Sequence, residues 1–236
     1  MSAEQQERIA RKAITSCVSI ARVPDQTGSA RVVDVLGELL GVEFPDDIRG
    51  EMRIMPVAIG SGFIVSESHI LTNNHVVEDA DVTEVHFQAQ RVGNIAVRRI
   101  ATGRVIERDA VNDLALIKIE KGDVPFSPLS LAKKGSVRIG QHLIAMKNPR
   151  VNNFMGSSAL VEGLGCMIST ERGDPPAHNV MKLRVGSVQN GDSGSPVLNE
   201  RGKVVGIMRA REKEGTSMGY AVNVEHAHTL LKRAGL

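Results

Sequence analysis

Short apolar runs, about a dozen of them and each closed by Gly, Asn, Asp or Pro, constrain this chain more than any other feature. They fall at residues 16–23, 57–65, 69–72, 82–87, 95–106 and 114–119, then at 142–146, 158–169, 180–185, 195–198, 204–209 and 217–222. Runs this short, with turn formers between them, make strands, and so many of them point to an all-β sandwich or a pair of barrels. The break near 121–135 divides them into two halves. Only the ends carry helical patterning. Ser2 with Gln5 three residues on is a capping box, and Ile9, Ala10, Ala13 and Ile14 share one face. At the other end Asn223 can cap a helix with Ala227, Leu230 and Leu231 on its apolar face and Gly235 as its stop. Residues 24–56 interrupt the rhythm and read as a long loop, with a turn or two of helix at 33–40. Long loops in compact domains are commonly functional or disordered.

A core can be built, since 42% of the 236 residues are hydrophobic, but it must be aliphatic: there are five Phe, one Tyr and no Trp. Such a chain offers no aromatic platform for stacking bases. A formal charge of +2 creates no field for nucleic acid or an anionic membrane. No stretch is long enough to cross a bilayer. The polar start at 1–7 has no apolar leader, so the literal reading is cytoplasmic; a periplasmic or secreted protein with its leader trimmed would read the same. Cys17 and Cys166 do not make a disulfide scaffold and have no partner at metal-ligand spacing. No metal or other cofactor is expected.

The chemistry concentrates in Asn190-Gly191-Asp192-Ser193-Gly194-Ser195-Pro196. Glycines on both sides let the backbone turn sharply and expose a serine hydroxyl, with nearby N–H groups able to converge as an oxyanion site. Gly-Asp-Ser-Gly also occurs in plain hairpin turns. Serine needs a base, and the base an orienting carboxylate. Of seven histidines, His69, His86 and His142 sit in or beside strands, His178 in a loop, and His226 and His228 two apart on the last helix. His75 differs: it ends Thr72-Asn73-Asn74-His75, just after a strand, where small polar residues can fix it at the mouth of a cleft. Asp113 heads the apolar run Leu114-Ala115-Leu116-Ile117, so its charge is costly unless hydrogen-bonded. Asp79 and Asp81 lie nearer His75 but in an exposed-looking turn. The order His, Asp, Ser is that of the chymotrypsin type, and Ser195 stands where an α/β-hydrolase elbow needs Gly.

The segments Thr72-Asn-Asn-His75-Val-Val, Asn112-Asp113-Leu-Ala-Leu-Ile-Lys-Ile and Gly191-Asp-Ser193-Gly-Ser-Pro resemble the three active-site segments of chymotrypsin-like serine proteases. Gly60-Ser-Gly-Phe-Ile-Val and Ile139-Gly-Gln-His-Leu-Ile-Ala-Met-Lys-Asn-Pro are closest to the HtrA family, and the resemblance covers about 16–232. It implies a chymotrypsin-like double six-stranded β-barrel: N-terminal helix 1–15, first barrel 16–122 with its loop at 24–56, second barrel 123–222, C-terminal helix 223–236. It implies His75 as general base, Asp113 as its orienter, Ser193 as acylated nucleophile, and the N–H groups of Gly191 and Ser193 as oxyanion hole. Polypeptides would be the substrates, cleft gating the role of the long loop, and a homotrimer the assembly.

The chain also departs from the family pattern. Asp192 and Ser195 replace the usual Asn and Gly around the serine. Asp192 needs a partner, and Arg209 or Arg211 are the candidates. The chain stops at Leu236 without the PDZ domain HtrA proteases usually carry, and its first aromatic is Phe44. Aligned on the serine, a neutral Ser187 sits at the pocket base beside Val188, with Met208, Arg209, Ala210 and Arg211 opposite. This favours small or medium apolar residues before the cut, with the arginines favouring acidic flanks. Two rival readings remain: a resting or non-catalytic peptide-binding protein on the same fold, and a cysteine protease using Cys166.

Overall fold

The computed structural model describes residues 1–22, 58–92, 95–97, 99–120, 127–148, 154–168, 177–186, 188–189, 191–211 and 217–236. The expected loop at 24–56 and its helical turn lie outside these residues. After helix α1 (Ala3–Ile14), the strands β1 (Cys17–Arg22), β2 (Ala58–Ser66), β3 (His69–Thr72) and β4 (Val82–Phe87) appear, then a two-stranded ribbon of β5 (Gln90–Val92) and β6 (Ile95–Val97), then β7 (Ile100–Asp109) and β8 (Leu114–Ile119). All but the ribbon close an antiparallel barrel in the order β1-β2-β3-β8-β7-β4. The expected single run at 95–106 is thus two strands, and only the second belongs to the barrel.

A second barrel closes in the order β10-β11-β14-β13-β12-β9, from β9 (His142–Lys147), β10 (Met155–Ile168), β11 (Ala177–Arg184), β12 (Pro196–Leu198), β13 (Val204–Arg211) and β14 (Met218–Asn223). This is the double six-stranded β-barrel that the resemblance implied. Closure removes the open sheet edges that would otherwise invite pairing between chains. One aliphatic core fills each barrel: Val18, Ile20, Ile70, Val85 and Ile117 in the first, Leu143, Val161, Met181, Val197 and Val205 in the second. A third, built from Phe63, Leu71, Leu114, Ile144, Met146 and Ile207, joins the two barrels and the helices.

The two helices cross over. Helix α1 precedes the first barrel but packs on β9 and β10 of the second. Its Ser2 cap accepts from the Gln5 N–H at 3.2 Å, as the capping box predicts, and Ile9, Ala10 and Ala13 are buried. Ala10 lies so close to Gly156 that a Cβ there would overlap it. Helix α2 (Val224–Arg233) follows the second barrel but packs on β7 and β8 as well as β13 and β14. Its Arg233 donates to Glu107 Oε1 and to the Arg108 carbonyl, each at 3.0 Å. The expected Asn223 cap is not made by its side chain: the amide instead donates to the Asn179 carbonyl at 2.5 Å. That bond turns the side chain toward the neighbouring strand β11.

Candidate active site

Asp113 and His75 come together at the mouth of the first barrel. Asp113 sits on the turn between β7 and β8 with φ 54°, a conformation Asp and Asn tolerate better than most residues. Asp109 builds that turn by accepting from the Asn112 N–H and side-chain amide at 3.0 and 2.9 Å. Asn73 donates to the Asp113 carbonyl at 2.9 Å. The Asp113 carboxylate, only 4% exposed, grips His75 twice: Oδ1 accepts from the His75 backbone N–H at 2.9 Å, and Oδ2 lies 2.8 Å from Nδ1. Burial pushes the Asp113 carboxyl up, but the His75 hydrogen bond and the charges of His75 and Arg209 outweigh it and hold it below its ordinary value. An ionised carboxylate can only accept, so the proton lies on Nδ1 and a neutral ring presents Nε2 as its basic atom. Arg108 braces the segment around His75, donating to Asn74 Oδ1 and to the Val77 and Ala80 carbonyls.

Ser193 reaches this place from the second barrel. Its carbonyl accepts from the Ser61 N–H on β2 at 2.7 Å, which ties the serine turn to the first barrel. The following Gly194 has φ 88°, and a Cβ there would collide with the Ser61 carbonyl and lie 2.6 Å from Thr72 Oγ1. Only glycine fits. Gly191 has φ 101°, and a Cβ would come within 3.0 Å of the Asn148 carbonyl. Ser61 Oγ donates to the Gly191 carbonyl at 2.6 Å. Within the turn the Asp192 N–H donates to the Gln189 carbonyl and the Ser195 N–H to the Asp192 carbonyl, while the Gly194 N–H donates to the Met208 carbonyl of β13. The Ser193 hydroxyl donates to the Arg209 carbonyl at 2.9 Å.

The partner of Asp192 differs from expectation. Its carboxylate accepts from the Asn148 N–H at 2.8 Å and the Gln189 N–H at 2.9 Å. Burial pushes this carboxyl above its ordinary value; those two N–H groups and the Lys147 charge offset only part of the effect. Arg209 does not pair with it, because the Arg209 guanidinium is taken by Asp113, Nε to Oδ2 at 2.8 Å. The same burial, 7% exposure, corrects the expectation that Arg209 offers its charge to acidic flanks of a substrate. Arg211 lies on β13, but its side chain is outside what the structure describes, as are the Ala210 side chain and all of Ser187. Val188 and Met208 are buried in the core of the second barrel, pressed over Gly219. Ser61 and Asn148 lie in the segments that carry the HtrA resemblance, but their contacts, like those of Arg108, were not readable because each acts on a residue far along the chain.

The other candidates are elsewhere. His69 is held by Ser66 at 2.7 Å, His86 by Glu84 at 3.0 Å and His228 by the Ala132 carbonyl at 2.8 Å. Asp81 is 91% exposed. Cys17 and Cys166 are free thiols. Among the described residues no group of His, Cys, Asp and Glu could hold a metal ion, and no helix is long and apolar enough to cross a membrane.

A family model described as a trypsin-like peptidase domain matches residues 60–207, more than half of the chain. The chain belongs to this family. Its curated relatives bear out the HtrA resemblance. The trypsin-like chain is 29% identical over 219 residues to HhoA of Synechocystis sp., named as a serine protease, covering 90% of this chain and 52% of HhoA. It is 31% identical over 188 residues to a Pseudomonas fluorescens protein named as a DegP-like periplasmic serine endoprotease, covering 79% of this chain and 36% of that one. The chain therefore spans about half or less of these relatives. The trypsin-like fold also superposes on the active form of the Rv3671c protease from M. tuberculosis, with TM-score 0.69 and 20% identity over 98% of this chain and 86% of that one. Deg5 gives TM-score 0.67 at 20% identity, covering 97% and 94%.

Proposed function

We propose that this chain is a serine endopeptidase that hydrolyses polypeptides through an acyl-enzyme on Ser193. The observation that carries the reading is the double grip of buried Asp113 on His75, beside a serine on a turn where only glycine can follow. In this reading the Ser193 hydroxyl turns from the Arg209 carbonyl to His75 Nε2, gives up its proton and attacks the substrate carbonyl. His75 then returns the proton to the leaving amine, and water releases the acyl group by the reverse route. The N–H groups of Gly191 and Ser193 receive the oxyanion; losing one such donor costs roughly a hundredfold or more in rate. The substrates are unfolded proteins cut after small or medium apolar residues, on the strength of the neutral Ser187, and the assembly is a homo-oligomer of HtrA type. Neither nucleic acid nor membrane is a partner, on the near-neutral charge of the chain. The names of the DegP-like relatives point to an exported enzyme, which cell fractionation tests.

The test is labelling with a fluorophosphonate probe. Wild type is expected to label and Ser193→Ala not to; labelling that survives the substitution removes Ser193 as nucleophile. One observation favours a second reading, a resting enzyme or peptide-binding protein: the serine proton is held by Arg209, not handed to a base. A folded wild type that labels only after peptide is added would establish that reading.

A further inference from the structure

Arg209 touches the site at both ends. Its Nε donates to Asp113 Oδ2, the same oxygen that holds His75 Nδ1, while its own carbonyl takes the Ser193 hydroxyl proton. One residue of β13 thus spans from the carboxylate to the nucleophile. It is an expensive residue for that place. The side chain is buried, and Nη1 has no hydrogen-bond partner among the described residues. Burying a guanidinium with one nitrogen unmet costs stability that a small neutral donor would not cost. Packing does not call for an arginine here; the Asp113 carboxylate does.

We propose that Arg209 is a positioning residue of the site, clamping Asp113 through its guanidinium and the Ser193 hydroxyl through its carbonyl, and that its charge sets the pH range over which His75 accepts a proton. The proposal rests on the protease reading above. A carboxylate shared with a fixed cation attracts a developing imidazolium less strongly than one that faces the imidazole alone. Removing the guanidinium would leave Asp113 to face the imidazolium alone, and the acid limb of activity would move to higher pH. The charged groups around His75 include Asp113 and Arg209, with Arg108 on the neighbouring Asn74.

The experiment compares wild type, Arg209→Gln and Arg209→Lys by the pH profile of kcat/KM on a peptide substrate. For Arg209→Gln the acid limb is expected to move up by roughly one pH unit, with kcat changed and KM within about twofold. Arg209→Lys keeps the charge and should keep the wild-type limb. A folded Arg209→Gln with an unmoved limb overturns the proposal. So does a KM that rises only for substrates with acidic flanks, which would make Arg209 a substrate contact. If Arg209→Gln does not fold, Arg209→Lys decides: a limb displaced from wild type counts against the charge. If wild type neither cleaves nor labels, the protease reading fails while Arg209 is still tested, by NMR titration of the His75 ring in Ser193→Ala with and without Arg209→Gln. An upward move of its midpoint supports the clamp, and no move refutes it.

Discussion

Gly194 shows how little freedom single residues have where the barrels meet. An added methyl would meet the Ser61 carbonyl and Thr72 hydroxyl, at a backbone angle that costs a non-glycine residue about 1–2 kcal/mol by itself. Gly194→Ala is expected to lower the melting temperature and to abolish probe labelling; a variant that labels like wild type would mean the turn can shift freely. Asp113 makes a pH-dependent contribution. Its folded carboxyl titrates below its ordinary value, so its stabilisation is complete above the unfolded value near 3.9 and fades as pH falls through the folded one. Asp113→Asn strands Arg209 and should cost about 3 kcal/mol at neutral pH. Urea melts should show that deficit narrowing below about pH 4; a deficit independent of pH would mean the carboxylate charge contributes nothing. His75 and Asp113 were legible because local sequence prepares them, the one by Thr72-Asn-Asn, the other by the apolar run it heads. The partners of Asp192 and Arg209 were not. Two arginines and two aspartates can be matched in several ways on paper, and only folding puts Asn148 beside Asp192 and Arg209 beside Asp113.

Among the elements, the helices test whether packing is as tight as it looks. Gly156→Ala drives a Cβ into Ala10 and should cost about 1–3 kcal/mol through overpacking. Ala10→Gly alone should cost about 1 kcal/mol through helix propensity. If the two touch, the double variant is more stable than the sum of the singles, and a thermal double-mutant cycle reads the difference. Strict additivity would place the helix elsewhere. The cap at Ser2 was readable because its partner is three residues away, whereas the other half of the box does not form, since the Gln5 side chain donates to the Glu200 carbonyl. The cap at Asn223 was misread because its competitor, the Asn179 carbonyl, is a strand neighbour from far up the chain.

For the whole molecule, the cysteines offer a probe of opening. Cys17 is fully buried, its thiol pushed well up by burial and donating to the Ala13 carbonyl, whereas Cys166 is partly exposed on β10. The native protein should take up a maleimide at Cys166 only, with Cys17 reacting as urea unfolds the chain; fast native labelling of Cys17, read by mass spectrometry, would show that α1 lifts away locally. The all-β class was legible because strand rhythm survives in any alphabet of aliphatic residues, and the family resemblance chose the barrel pair over a sandwich. The pairing of each end with the opposite barrel was not, since nothing in an amphipathic stripe says which surface it covers.

That crossed arrangement bears on how the protein is made. A ribosome delivers α1 first, but the surface that covers Ile9, Ala10 and Ala13 is not synthesised until β9 and β10 emerge. The apolar stripe of α1 stays uncovered while the first barrel is synthesised. The first barrel in turn waits for α2, which follows β14, to latch onto Glu107 and the Arg108 carbonyl. Neither barrel is therefore fully covered until both have been synthesised, so the two complete as one unit rather than one after the other.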